Sequence, residues 1–212
     1  MKKTIIFGDS YSTFQGFIPE GYEIYYSPEG HPESGVGEVG KTWWYRVCEA
    51  AELELVLNNS WSGSTIGYTG YSNSDTSKTS SFIHRLRELS EGGFFEENPV
   101  DTVFVFGGTN DDWSGAPLGE EKYSDFCEED LFFVLPGIAD FLIEVKNTFP
   151  HADIYCLINT ELKGEITHCL EKSCVEYGIT PVHFDTIEKI NGHPTALGME
   201  QIAQAVLCAL GR

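Results

Sequence analysis

Along this chain, short stretches of continuous apolar residues alternate with longer stretches whose apolar residues recur at helical spacing. Residues 4–7, 53–57, 100–106 and 153–158 are such short runs, and 180–184 is a weaker fifth. They are too short for helices and lack strict apolar/polar alternation, so they predict strands buried on both faces. The 3.6-residue period marks helices over 41–52, 80–90, 124–149 with a break near Pro136-Gly137, 161–177 and 195–210. Alternation of this kind predicts an α/β chain, a three-layer α/β/α sandwich with a five-stranded parallel sheet. Ligands of such sheets bind in the crevice beyond the carboxyl ends of the strands. No linker-like tract divides the 212 residues, which predicts one domain over 1–212. Segments 16–40 and 111–121 exceed ordinary connections and leave from that same edge, so they are expected to wall or cover a pocket.

Charge narrows the partners. The formal net charge is −20, and no cluster of lysine or arginine offsets it locally, which disfavours nucleic acid and anionic membrane surfaces as partners. No apolar run approaches bilayer length, and Met1-Lys2-Lys3 leads straight into the first strand rather than into a secretory apolar core, so a cytoplasmic location is expected. The six cysteines, at 48, 127, 156, 169, 174 and 208, have no metal-ligand spacing and are expected to be free, buried thiols.

Candidate chemistry collects where the strands end. Gly8-Asp9-Ser10 closes the first strand, Asn59 to Thr65 follows the second, Gly107-Gly108-Thr109-Asn110-Asp111 follows the third, and Gly192-His193-Pro194-Thr195 precedes the last helix. A serine hydroxyl is a poor nucleophile until a base takes its proton, and the oxyanion it creates needs aimed donors. These strings supply a serine, a base and an amide, while Gly63 offers a backbone N–H with no side chain in the way. Among six histidines His193 stands out, placed on a tight turn just before the last helix. Other patterns carry less. Gly35 to Gly40 spells a dinucleotide fingerprint, but no strand precedes it. No Gly-x-Ser-x-Gly elbow occurs. The Asn58-Asn59-Ser60 sequon lies beside a strand end rather than on a surface loop.

In these four stations the chain resembles the GDSL-type, or SGNH, hydrolases, matching that family's serine, glycine, asparagine and histidine at Ser10, Gly63, Asn110 and His193. The resemblance implies a flavodoxin-like sheet and ester hydrolysis through an acyl-enzyme. Ser10 would be the nucleophile and His193 the base, with the Ser10 and Gly63 N–H groups and the Asn110 amide holding the oxyanion and no cofactor or metal required. Most of the family carries an aspartate three residues before the histidine; here that residue is Ile190. The Ile190 carbonyl is expected to orient the imidazole in its place, with Asp185 or Glu188 as alternatives. Asp9, Trp61, Asp111 and Trp113 are the candidate substrate-binding residues, the two aspartates bracing loops and the two tryptophans walling the pocket. The expected partner is a small ester or acetylated sugar, with acetyl as the expected acyl group. A lysophospholipase or thioesterase, and a non-catalytic sugar-binding relic, are the alternatives. A phosphoesterase holding metal through Asp9, Asp111, Asp112 and His193 is a rival of another class.

Overall fold

Strands β1 (Lys2–Gly8) and β3 (Thr102–Phe106) lie at the middle of the molecule with both faces covered, which is why they read as unbroken apolar runs. A computed structural model describes residues 1–212. In it β1 and β3 pair in parallel with β2 (Leu53–Ser60), β4 (Asp153–Leu157) and β5 (Thr180–Val182) in the order β2-β1-β3-β4-β5. Alternate side chains serve two cores. Ile5, Phe7, Val103 and Val105 pack beneath α2 (Phe82–Glu91), α5 (Val134–Thr148) and α6 (Gly164–Tyr177). Ile6, Phe104 and Phe106 pack beneath α1 (Trp43–Ala50) and α7 (Ala196–Ala209). The three-layer sandwich, the all-parallel sheet and its flavodoxin-like order agree with the sequence reading. In that order the chain reverses direction across the sheet between β1 and β3, and a crevice opens at such a switch point beyond the strand ends.

Local departures have local causes. The helix expected over 124–149 begins only at Val134, behind a 3-10 turn at Glu128–Phe132. Pro136-Gly137 does not break it, because both residues fall in its first turn, where a missing N–H costs no hydrogen bond. A short helix α3 (Phe94–Glu97) follows α2, and a second, α4 (Thr109–Trp113), claims Asp111 to Trp113, so the loop expected over 111–121 starts later. A two-stranded hairpin was not anticipated: β6 (Lys189–Ile190) and β7 (His193–Pro194) are joined by Asn191 and Gly192 at φ 50° and 78°. Two consecutive positive φ values make the tight primed turn that matches strand twist, and Asn-Gly is its preferred sequence. All six cysteines are free, but only Cys156, Cys169 and Cys174 are buried; Cys127 and Cys208 are exposed. No helix is long and apolar enough to cross a membrane.

Candidate active site

Three adjacent strand ends and the hairpin converge. Where β1 stops, the Asp9 carboxylate accepts the Tyr11 N–H at 3.0 Å and caps a 3-10 turn, Ser10–Ser12, that turns Ser10 out of the sheet. Ser10 is only 3% exposed. As the first residue of that turn its N–H has no acceptor within it. The hairpin brings His193 Nε2 to 3.1 Å from Ser10 Oγ. On the other side of the ring, Nδ1 lies 3.1 Å from the Asn191 carbonyl. A carbonyl oxygen can only accept, so the proton sits on Nδ1 and Nε2 keeps a free lone pair facing the hydroxyl.

The orienting carbonyl is therefore Asn191's and not Ile190's. Ile190 is the ladder partner of His193, which commits its backbone to the hairpin, whereas the left-handed Asn191 turns its carbonyl toward the ring. Neither acidic alternative reaches the imidazole. Glu188 accepts the Thr195 hydroxyl at 2.6 Å beside the start of α7, and Asp185 is exposed in a groove against α7. Two tyrosine hydroxyls hold the hairpin down, Tyr11 donating to the Gly192 carbonyl and Tyr26 to the Pro194 carbonyl. Aromatic rings enclose His193: Tyr25 lies flat on it at 3.6 Å, and Trp113 meets it edge-on at 5.7 Å. Burial lowers the His193 pKa below the ordinary histidine value, partly countered by the Asn191 carbonyl, so the ring is neutral at neutral pH and free to accept a proton.

Opposite the hairpin, Asn110 stands in the first turn of α4. Its Nδ2 donates to the Ser64 carbonyl at 3.0 Å, and its Oδ1 accepts the Tyr71 hydroxyl at 2.8 Å. Tyr71 thereby fixes which end of the amide is nitrogen. Gly63, at φ 81°, tops the turn after β2, and its N–H donates to no protein acceptor. A side chain there would force an unfavourable backbone at the point of closest approach. Asp9 and Asp111, expected among the substrate-binding residues, are 1% and 2% exposed and do not line the opening. Asp111 accepts the Ile66 and Gly67 N–H groups, holding the loop after β2 against α4. Burial pushes the carboxyls of Asp9 and Asp111 up to about 7 and about 6. Trp61 packs on Tyr22 at 4.2 Å and is half-buried, and Trp113, edge-on to His193, is 45% exposed.

Beneath these loops lies a fully buried cation. Arg85 of α2 donates from Nε to the Ser80 carbonyl, from Nη1 to the Asn59 carbonyl and side-chain oxygen, and from Nη2 to the Gly8 carbonyl and Ser64 Oγ. Those acceptors belong to the ends of β1 and β2 and to the loop that Asn110 touches. The sequence reading gave no site role to Arg85 or Tyr11, and took Tyr25, Tyr26 and Tyr71 only as aromatic residues near the motifs. Only Tyr11, adjacent to Ser10, and the Asn191-Gly192 turn signal carried a local hint. The four ligands of the rival metal site do not converge, since Asp9 and Asp111 serve backbone amides and Asp112 pairs with Lys163 at 2.7 Å.

The family model described as GDSL-like lipase/acylhydrolase matches residues 2–210. The chain belongs to that family. It is accordingly a hydrolase of the esterase and lipase type. Among solved structures, a protein assigned as a GDSL-like lipase from Bacteroides ovatus is 36% identical, with a TM-score of 0.91 over 100% of this chain and 98% of that one. A second, from Bacteroides uniformis, is 38% identical with a TM-score of 0.90, covering 99% and 95%. An acetyl xylan esterase from the rumen bacterium Butyrivibrio proteoclasticus shares the fold at 16% identity and a TM-score of 0.61, covering 99% of this chain and 63% of that one. A search of curated proteins finds no match.

Proposed function

We propose that the chain is a serine esterase acting on small acyl esters, with acetyl on a carbohydrate as the best-supported substrate class. The observation that carries this reading is the 3.1 Å contact between His193 Nε2 and Ser10 Oγ, with the opposite ring nitrogen 3.1 Å from the Asn191 carbonyl. In the first half-reaction Ser10 Oγ attacks the acyl carbon as its proton passes to His193 Nε2. The oxyanion is met by the Ser10 N–H, the Gly63 N–H and the Asn110 Nδ2 proton that without substrate faces Asp9 Oδ2 at a long 3.5 Å. The alcohol leaves with the proton from His193, and an acyl-serine remains. Water then attacks, giving its proton to the same nitrogen, which passes it to Ser10 Oγ as the acyl–oxygen bond breaks and the acid departs.

Acyl size follows from shape. The surface cavities, between about 380 and 560 Å³, have neither Ser10 nor His193 in their walls. The most apolar of them reaches Met1 and Leu53 at the strand starts, the wrong edge of the sheet for a long acyl chain on Ser10. The lack of any such cavity walled by the serine supports a short acyl group, acetyl, over a fatty acyl chain. The alcohol follows from the rim, where Trp113 and Tyr71 are 45% and 42% exposed and Trp61 stands nearby. Flat aromatic faces without cations suit a neutral sugar, and a charge of −20 repels phosphate-bearing acyl carriers and anionic lipids. The likeness in fold to an acetyl xylan esterase agrees with this choice. The test is a series of p-nitrophenyl esters together with acetylated oligosaccharides, with Ser10→Ala as control. Turnover confined to short acyl groups and lost in the control is expected. A preference for long acyl chains, or an active Ser10→Ala, contradicts the reading.

A further inference from the structure

His193 lacks the carboxylate that would ordinarily stabilise its charged form, and a single carbonyl is a weak substitute. The space beside the ring is taken by another group. Tyr25 lies on His193 with centroids 3.6 Å apart and planes 7° apart. On the opposite face of Tyr25 lies a second imidazole, His31, at 3.8 Å and 5°. The stack is built rather than incidental. His31 sits at φ 52°, in the left-handed region unusual for a residue other than glycine, and leads into a 3-10 turn at Pro32–Ser34. Its carbonyl accepts the Ser34 hydroxyl, and its Nδ1 faces Glu33 Oε1 at 3.3 Å. The Tyr25 backbone N–H donates to Thr13 Oγ1 at 2.9 Å, tying the long loop to the turn that carries Ser10.

We propose that Tyr25 is a positioning residue that takes over the work of the missing carboxylate, its ring face stabilising the imidazolium that forms when His193 accepts the Ser10 proton, while His31 on the far face sets how easily that charge forms. This rests on the reading of His193 as the base. The electrostatics have a definite sign. An aromatic face attracts a cation lying over it and has little effect on the neutral ring. The His193 imidazolium is therefore favoured by Tyr25, and with it the transition state in which the serine proton has moved. A positive charge on His31 shares the same ring and opposes a second cation across it. Around His193 the facing groups are Ser10, Tyr11, Tyr25 and Trp113, with His31 and Glu33 behind Tyr25. Lys189, on the partner strand of the hairpin, points its ammonium toward Tyr11 and is paired with Glu161 at 3.1 Å. None of these groups is a carboxylate in contact with the imidazole, which leaves the ring face of Tyr25 as its main electrostatic partner besides the Asn191 carbonyl.

The test combines pH profiles of kcat and KM with an isotope-labelled histidine NMR titration of His193 on the full chain. In Tyr25→Leu the ring stays out of water but loses the π face. The His193 titration and the acid limb of kcat are expected to move to lower pH, while plateau kcat falls about 3- to 30-fold with KM little changed. Tyr25→Phe, which keeps the face and loses only the hydroxyl, is expected to restore both. His31→Gln is expected to move the titration to higher pH. If leucine prevents folding, replacing Tyr25 with a ring-fluorinated phenylalanine keeps the shape and drains the face, and should shift the titration in the same direction as leucine. A lower kcat with an unmoved titration, or a Tyr25→Phe as impaired as Tyr25→Leu, overturns the proposal. Failure of the underlying reading looks different: Ser10→Ala would then stay active whatever the NMR titration shows.

Discussion

Replacing Arg85 with methionine removes the one side chain that touches the ends of β1 and β2 and the loop before α2 at once, so its effect on stability can be worked from the bonds it makes. The guanidinium has five N–H donors, and all five are used: one on Ser80, two on Asn59, one on Gly8 and one on Ser64. Two of these acceptors keep other partners, since the Gly8 carbonyl also accepts the Trp61 N–H and Ser64 Oγ donates to the Trp61 carbonyl. The Asn59 side-chain oxygen and the Ser80 carbonyl lose their side-chain donor outright. Each buried orphan costs about 1–3 kcal/mol, and breaking a buried charged network costs about 3–5 kcal/mol in total. Burial lowers the Arg85 pKa only to about 10, so the group is charged at neutral pH and its desolvation is recovered when it is removed. That recovery, and the packing of methionine against Phe82, hold the expected loss to about 3 kcal/mol. In a chain of this length this lowers Tm by roughly 6–12 °C. Urea unfolding of wild type and Arg85→Met measures it. A loss below about 1 kcal/mol with an unchanged m-value would show that the desolvation cost cancels the bonds, and the view of Arg85 as the tie beneath the site would be wrong.

Asn110→Ala is expected to leave KM near wild type and lower kcat about 10²- to 10³-fold, as for loss of one oxyanion donor; a change confined to KM would make Asn110 a ground-state contact instead. Tyr71→Phe should reproduce a smaller part of that loss, because the amide then lacks the hydroxyl that fixes its orientation; full activity would remove Tyr71 from the account. The Asp9 carboxyl is held at about 7 in the folded chain against about 3.9 when unfolded. The folded state therefore binds more protons between those values, and stability contributed by this group falls as pH rises from about 4 to 7. Asp9→Asn should flatten the fall of Tm across that window, and an unaltered slope would place the titration elsewhere.

How much of this was legible in the sequence depended on whether the signal was local. β1 and β3 announced themselves because both their faces are buried, and Ser10 because a strand end put it at the ligand-binding edge. The four stations were visible as strings since each is a contiguous loop. What holds them was not. Arg85 and Tyr71 act across the chain on Gly8, Asn59 and Asn110, and nothing in their neighbours in sequence distinguishes them from a solvated arginine or an ordinary core tyrosine. Tyr25 sits 168 residues from the ring it covers, inside a loop whose length and aromatic content gave no partner for it. The misassigned carbonyl has a different cause. Counting three residues back from His193 follows the position of the aspartate, but the Asn191-Gly192 turn reverses the chain and presents the carbonyl two residues back. That dipeptide was readable as a tight turn.

Covalent labelling of Ser10 tests the central claim most directly, since it requires a serine that His193 makes nucleophilic. The full-length chain is treated with a fluorophosphonate and the adduct located by peptide mass spectrometry, in wild type and in His193→Ala, with and without chelator. One adduct on the peptide containing Ser10, insensitive to chelator and lost in His193→Ala, is the predicted result. No adduct under conditions where esters are hydrolysed, or an adduct on another residue with Ser10 unmodified, would contradict it.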